Sequence, residues 1–203
     1  MHPITHLLVG WTLANAAGLG KRDRMLVTVA GVIPDIDGLG VLADVLTEHS
    51  VHPLILYDRF HHVLAHNALF GLGLTLAALA LARRRGLTPL LVLLSFHLHL
   101  LGDIVGSRGP EGYQWPIPYL LPFSAAWQLT WSHQWGLMAW PNVSFTVALL
   151  ALTLHGAWKR GRSPLELISA RADAALTEAL RARFGEPAPA LSPATGETPL
   201  VSP

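Results

Sequence analysis

Long stretches without a charged side chain are the feature that most constrains how this chain can fold. Residues 112–158 contain no Asp, Glu, Lys or Arg over 47 positions, and residues 60–82 contain none over 23. Charged residues make up 13% of the 203-residue chain, against about 25% in an average soluble domain. This pattern argues against a disordered chain and against a nucleic-acid-binding protein with a basic face. It favours a protein whose solvent is partly lipid.

Apolar segments separated by glycine, proline or basic turns predict the secondary structure. We expect helices over residues 4–19, 25–33, 60–82, 87–105 and 142–158. The segments 60–82 and 87–105 are each close to the roughly 20 apolar residues that cross a bilayer core. The sequence therefore predicts an all-α, multi-helix membrane-embedded bundle, with a small and very apolar soluble bundle as the alternative.

The other segments complete the predicted domain organisation. Residues 1–162 form the membrane-embedded domain, whose Trp- and Pro-rich loop region at 106–142 holds five of the seven tryptophans. Tryptophan is enriched at membrane–water interfaces, and the alternative is a lid over the core. Residues 163–184 predict an amphipathic helix on the membrane surface or against the bundle. Residues 185–203 are rich in Pro, Ala, Ser and Thr and predict a disordered tail.

Three basic clusters predict the orientation of the bundle. They lie at residues 21–24, 83–85 and 159–162, each at one end of an apolar segment. The positive-inside tendency makes these ends cytoplasmic, so the opposite ends face outward. We therefore expect a multi-pass membrane protein, without a cleavable signal peptide because no basic residue precedes Lys21.

Histidine and aspartate side chains gather at the predicted outward ends. The chain has 11 histidines and no cysteine, so its own metal ligands would be His, Asp, Glu or carbonyl oxygen. His99 and Asp103 are four residues apart, which places them on one face of a helix. Asp103 is the only charged residue between Arg85 and Arg108. A lone carboxylate there is costly unless it binds a metal or, alternatively, hydrogen-bonds to its neighbours.

Two further motifs lie at the same predicted ends. Asp35 and Asp37 follow Pro34 and can offer two carboxylates to one cation or bridge two cations. An ordinary turn is the alternative, because Pro-Asp and Asp-Gly are common turn sequences. His6, near the start of the first helix, completes four segments that each place His or Asp at one end of the bundle. This coincidence predicts one assembled site.

Three histidines, His61, His62 and His66, follow the polar segment 47–59. His62 and His66 are in phase on a helix, whereas His61 and His66 are about 140° apart, so helical geometry favours His62 as the ligand. Structural core histidines are the alternative. A site of several His and Asp side chains without cysteine suits zinc, manganese or iron, as one ion or two.

In their order and spacing these motifs resemble YdjM-type (LexA-regulated) membrane-bound metal-dependent hydrolases, over about residues 1–158. That family is distantly similar to the all-helical zinc-dependent phospholipase C proteins. Its third motif usually reads His-Arg-x-x-x-His-Ser, and this chain reads His61-His62-Val63-Leu64-Ala65-His66-Asn67. The resemblance therefore implies His61 and His66 as ligands, where helical geometry favours His62.

The resemblance implies a metal-dependent hydrolase of the bacterial inner membrane that uses metal-activated water on a phosphoester or lipid-type substrate. The expected ligands of one or two divalent ions, most simply zinc, are His6, Asp35, Asp37, His61, His66, His99 and Asp103. Asp35 or Asp37 would also act as general base, and His62 and Arg108 would contact the substrate. Membrane lipid and the substrate are the expected partners, without nucleic acid.

Two other functions remain open from the sequence. A metal-binding membrane transporter or sensor would use the same ligands without hydrolysis, although transporter ligands usually lie near mid-membrane. A soluble helical metal-dependent phosphohydrolase would need no bilayer.

Overall fold

The computed structural model describes residues 1–109 and 112–188, and these residues form helices without a β-strand. The all-α prediction is confirmed. The tail predicted at 185–203 lies outside the described residues from residue 189 onward. The described α-helices are α1 Pro3–Ala16, α2 Lys21–Ala30, α3 Gly40–Thr47, α4 Leu56–Phe60, α5 Ala68–Leu81, α6 Leu87–Gly106, α7 Trp140–Arg160 and α8 Ala170–Phe184. Two 3-10 segments, Ile33–Leu39 and Pro164–Leu167, accompany them.

The chain divides into two compact units, Met1–Thr153 and Leu154–Pro203, with the boundary inside α7. In the first unit α1 packs on α2, α5 packs on α6, and α6 also packs on both α1 and α2. The turns α1–α2 and α5–α6 lie at one end of this packing, because consecutive helices run in opposite directions. The start of α1 and the ends of α2 and α6 therefore meet at the other end.

Apolar side chains and glycines hold these helices together. One buried cluster joins α1, α2, α5 and α6 through Ala14, Leu19, Val27, Ala30, Ala78 and Val92. A side chain at Gly10 would lie 3.1 Å from the Thr28 backbone. One at Gly31 would lie 3.0 Å from the His6 carbonyl oxygen. Glycine at both positions allows α1 and α2 to approach closely, as small residues do in membrane-helix packing.

The single helix predicted over residues 60–82 is wrong. Helix α4 ends at Phe60, residues 61–67 are not helical, and α5 begins at Ala68. His62 has a φ of +64°, in the left-handed region that non-glycine residues rarely adopt. The Asn67 side chain then accepts a hydrogen bond from the Phe70 N–H at 3.0 Å and caps α5.

Few helices in the described residues are long and apolar enough to cross a bilayer. Helix α6 meets both criteria, with 20 residues and a mean hydropathy of 1.6. Residues Lys21–Ala30 and Ile33–Thr47 meet them only as a pair, bent by 47° at the break between them. Helix α5 has 14 residues and falls short of the predicted crossing. Length and composition thus support one or two spans, and the predicted multi-span arrangement stays a prediction.

The second unit contains the end of α7 and helix α8. The amphipathic helix predicted over residues 163–184 is divided there into the 3-10 turn and α8. Ser163 caps the turn, accepting a hydrogen bond from the Leu165 N–H at 3.2 Å. Ser169 caps α8 through the Ala172 N–H at 3.3 Å. A serine therefore caps the amino end of each segment: Ser163 caps the 3-10 turn, and Ser169 caps the longer helix α8.

Candidate metal centre

Four separate segments bring histidine and aspartate side chains together at the end of the bundle opposite the basic turns. They are α1, the 3-10 segment 33–39, the loop 61–67 and α6. Two groups have one ligand atom per residue within 4.8 Å of one another: His6, Asp35, His99 and Asp103, and His62, His66 and Asp103. All of these residues except the partly exposed Asp35 are buried. The sequence prediction that these motifs meet at one end agrees with this placement.

Asp103 belongs to both groups. Its Oδ1 lies 3.1 Å from His6 Nε2 and accepts a hydrogen bond from Ser107 Oγ at 2.7 Å. The Met1 amino group also contacts this oxygen. Its Oδ2 lies 3.0 Å from His99 Nε2, 3.5 Å from His66 Nε2 and 3.7 Å from His62 Nε2. Oδ2 is buried without a well-directed hydrogen bond, which makes it available to a cation.

Three histidines are held through their Nδ1 atoms. His99 Nδ1 donates to the Gly31 carbonyl oxygen at 2.9 Å and His66 Nδ1 to Asp37 Oδ2 at 3.0 Å. His62 Nδ1 lies 3.4 Å from the Trp115 carbonyl oxygen. An oxygen acceptor on Nδ1 fixes the tautomer and leaves the Nε2 lone pair free, which is the usual surrounding of a metal-binding histidine. All three Nε2 atoms face Asp103.

The Nε2 atoms of His66 and His99 are 3.0 Å apart. With each Nδ1 proton directed at an oxygen, two lone pairs face each other at this distance, and their repulsion is relieved by a proton or by cations bound at the two nitrogens. Asp35 Oδ1 lies 3.7 Å from His99 Nε2, and Asp35 Oδ2 is buried without a hydrogen bond. Nitrogen and carboxylate donors of this kind fit a divalent zinc, manganese or iron ion.

The pKa values of His62 and His66, both in the loop 61–67, shift in opposite directions. Burial lowers the pKa of His62 to about 3, so this ring is neutral at pH 7, the form that binds metals. Burial also acts to lower the pKa of His66, but its contacts with Asp103 and Asp37 outweigh burial and raise the pKa to about 9. The position between these two carboxylates therefore favours positive charge, which a divalent ion can supply in place of the proton.

Asp37 and His61, two of the predicted ligands, lie beside the two groups and not in them. Both Asp37 oxygens are occupied: Oδ1 by His61 Nδ1 at 3.1 Å, and Oδ2 by His66 Nδ1 and by the Ala65 N–H at 3.2 Å. The His61 ring stacks on Tyr57 with centroids 4.5 Å apart. The geometry thus places His62, and not His61, among the converging Nε2 atoms, while the ligand roles themselves stay predictions.

Arg108 lies away from the converging ligands. Its exposed side chain lines a separate cavity of about 840 Å³ together with His133, Trp135 and Trp140. Its backbone N–H donates to the Trp135 carbonyl oxygen at 2.9 Å. The predicted contact between Arg108 and a substrate at the metal centre gains no support from this position, and it stays a prediction.

The family comparison agrees with the motifs. The model of the YdjM inner membrane protein family matches residues 1–176. The chain belongs to the YdjM inner membrane protein family. The resemblance stated from the four motifs is thereby confirmed, and the matched region contains every converging ligand. Comparisons with curated proteins and with solved structures give no significant match.

Several residues around the centre of this YdjM-family chain were not predicted from sequence. Tyr57 and Trp115 pack edge to face at 5.5 Å beside His61, although Trp115 was expected in an interface belt. Gln134 Nε2 donates to the Asp103 carbonyl oxygen at 2.6 Å, and Ser107 binds the Asp103 carboxylate. Trp115 and Gln134 lie in the uncharged stretch 112–158, and Tyr57 and Ser107 lie beside charged residues. Neither context indicates a partner.

Proposed function

We propose that this YdjM-family protein is a membrane-bound metal-dependent hydrolase of phosphoesters, with a lipid-type substrate. The observation that carries the proposal is the convergence of two ligand groups on one buried carboxylate, Asp103, whose Oδ2 makes no well-directed hydrogen bond. A metal-binding membrane protein without activity would use the same residues, and the experiment below distinguishes the two.

The two groups would each hold one divalent cation. His6, Asp35 and His99 would bind the first ion, His62 and His66 the second, and Asp103 would bridge them. Two such ions, when bound, activate water as a nucleophile and stabilise negative charge on phosphoryl oxygens. The His-rich donor set favours zinc, and manganese and iron are compatible with it.

Asp35 is the carboxylate best placed to act as general base. Its side chain is 14% exposed, against 2% for Asp103, so of these two it is the one that a reacting water can reach. Asp37 is less suited to this role, because both of its oxygens already accept hydrogen bonds from the loop 61–67. The proposal therefore assigns proton transfer to Asp35 and the positioning of His66 to Asp37.

An exposed apolar surface beside the centre supports a lipid-type substrate. Helix α3 and the loop that follows it connect the carboxylate segment 33–39 to α4, and α3 has no buried residue. Leu46 is 85% exposed and Val51 is 91% exposed. Contiguous exposed apolar side chains mark contacts with membranes or partners. By the positive-inside tendency, the centre would act at the non-cytoplasmic face.

The test uses the full chain purified in detergent. We expect bound transition metal and hydrolysis of a chromogenic phosphodiester or of phospholipid vesicles, both lost on chelation and restored by zinc or manganese. Asp103→Asn should lose metal and activity. Asp58→Asn is the matched control, because Asp58 is exposed on α4 and should leave both unchanged.

Two results would overturn the proposal. Absence of transition metal from the wild type after growth and purification with zinc or manganese would remove the metal centre. Bound metal without hydrolysis of any phosphomonoester, phosphodiester or phospholipid offered would remove the enzyme and favour a transporter or sensor.

A further inference from the structure

A second candidate site lies at the basic end of the first unit, away from the metal centre. The α1–α2 turn and the α5–α6 turn border a cavity of about 630 Å³. Lys21 and Arg22 line it from one turn, and Arg83 and Arg84 line it from the other. All four side chains are exposed. Two sequence-distant basic clusters are therefore brought to one cavity.

The acidic residue in this cavity offsets only part of the positive charge of those side chains. Asp23 is 3% exposed, and its Oδ1 and Oδ2 accept hydrogen bonds from the backbone N–H groups of Arg83 at 2.8 Å and Arg84 at 2.9 Å. Within the described part of the chain, no carboxylate lies within 4 Å of the charged groups of Lys21, Arg22, Arg83 or Arg84. The carboxylate fixes the turn, and the four basic side chains leave an excess of positive charge for an anion.

The rest of the cavity wall is apolar. Met25 and Leu26 on α2 and Leu81 at the end of α5 line it. A cationic rim beside an apolar wall suits a molecule with an anionic head and a hydrocarbon tail. Arginine binds phosphate oxygens with paired N–H donors, and basic pockets between membrane helices bind anionic lipid headgroups.

We infer that this cavity binds an anionic phospholipid. The headgroup phosphate contacts Lys21, Arg22, Arg83 and Arg84, and the acyl chains lie along Met25, Leu26 and Leu81. Anionic phospholipid is available to the chain, because the chain belongs to an inner membrane protein family. Helix α6 begins at Leu87 beside this cavity, and Asp103 of the metal centre lies 16 residues further along it, or about 24 Å at 1.5 Å per residue. The inference therefore does not depend on the proposed hydrolase.

The test compares lipid binding by the full chain and by the double variant Arg83→Gln/Arg84→Gln. This variant keeps both backbone N–H groups that bind Asp23, and exposed substitutions of this kind change stability little. The matched control is Arg171→Gln/Arg183→Gln on α8, which removes the same charge elsewhere. The probe is phosphatidylglycerol, titrated into detergent-solubilised protein and counted by native mass spectrometry. Phosphatidylcholine and inorganic phosphate are the comparison ligands.

We expect phosphatidylglycerol to bind the wild type and the control equally. The double variant should bind about 30-fold more weakly, since each basic residue near anionic lipid contributes about fivefold in affinity. Metal content should not change. Equal binding to the variant and the wild type would overturn the inference, as would equal retention of phosphatidylcholine. Displacement of the lipid by millimolar phosphate would overturn it in favour of a free-anion site.

Discussion

Asp37 Oδ2 lies 3.0 Å from His66 Nδ1, across 29 residues of sequence. This contact joins the 3-10 segment 33–39 to the loop 61–67 and directs His66 Nε2 towards Asp103. The same carboxylate binds the Ala65 N–H and His61. One side chain thus holds the position of a whole ligand loop.

Asp37→Asn should weaken metal binding without abolishing it. An outer-shell partner of a metal-binding histidine contributes about 10- to 100-fold in affinity, and the amide retains the shape of the side chain while it loses the charge. The measurement is a competitive chelator titration against the Asp58→Asn control. Complete loss of metal, as expected for Asp103→Asn, would show that Asp37 is itself a ligand.

The two ligand groups predict how metal is lost when single ligands are removed. His6→Ala should retain the ion of the second group, and His62→Ala should retain the ion of the first, because only Asp103 is shared. Elemental analysis per chain should therefore give one ion in each variant, two in the wild type and none in Asp103→Asn. His155→Ala, exposed on α7, is the control. One ion in the wild type would contradict the pair.

The choice between His61 and His62 is decided by a matched pair of variants. His62→Ala should lose one ion, because His62 Nε2 lies 3.7 Å from Asp103 Oδ2. His61→Ala should keep the full metal content, because its Nδ1 is bound to Asp37 and its ring stacks on Tyr57. The reverse outcome would establish the ligand implied by the family motif.

Alanine substitutions at two glycines of α5 should change the free energy of unfolding in opposite directions. A Cβ at Gly71 would lie 2.6 Å from the buried Phe96 ring, so Gly71→Ala should lower the free energy of unfolding by about 1–3 kcal/mol. Gly73 has nothing within 4 Å of such a Cβ, so Gly73→Ala should raise it by roughly 0.5–1 kcal/mol, as in an open helix position. Thermal unfolding in detergent measures both. Equal shifts would mean that α5 does not pack on Phe96.

Sequence reasoning succeeded where one local rule was sufficient. Helix α6 was expected at 87–105 and is observed at Leu87–Gly106, because an uninterrupted apolar run after a basic turn has few other conformations. The gathering of His6, Asp35, His99 and Asp103 at one end also followed, since helices joined by short turns run in opposite directions. The first prediction used only the length of the apolar run, and the second also used the basic clusters that mark one end of the bundle.

The break at residues 61–67 could not be predicted in the same way. The segment 60–82 contains no charged residue, glycine or proline before Gly71, so its sequence contains no clear signal for where the helix starts. The contacts that hold the loop come from Asp37, which is distant in sequence, and His62 adopts a left-handed conformation that its residue type disfavours. The spacing of four residues between His62 and His66 favoured His62 only if residues 61–67 form a helix, and in the structure they do not.

The His6–Asp103 contact spans 97 residues of sequence. During synthesis from the amino terminus, His6, Asp35, His62 and His66 are all made before the carboxylate that joins the two groups. Such long-range contacts form late, because closing a long loop costs entropy before the contact stabilises it. Nascent chains that end before α6 can offer only isolated ligands to a metal ion. In the proposed two-ion centre, complete metal loading would accordingly be a step of maturation that follows the docking of α6.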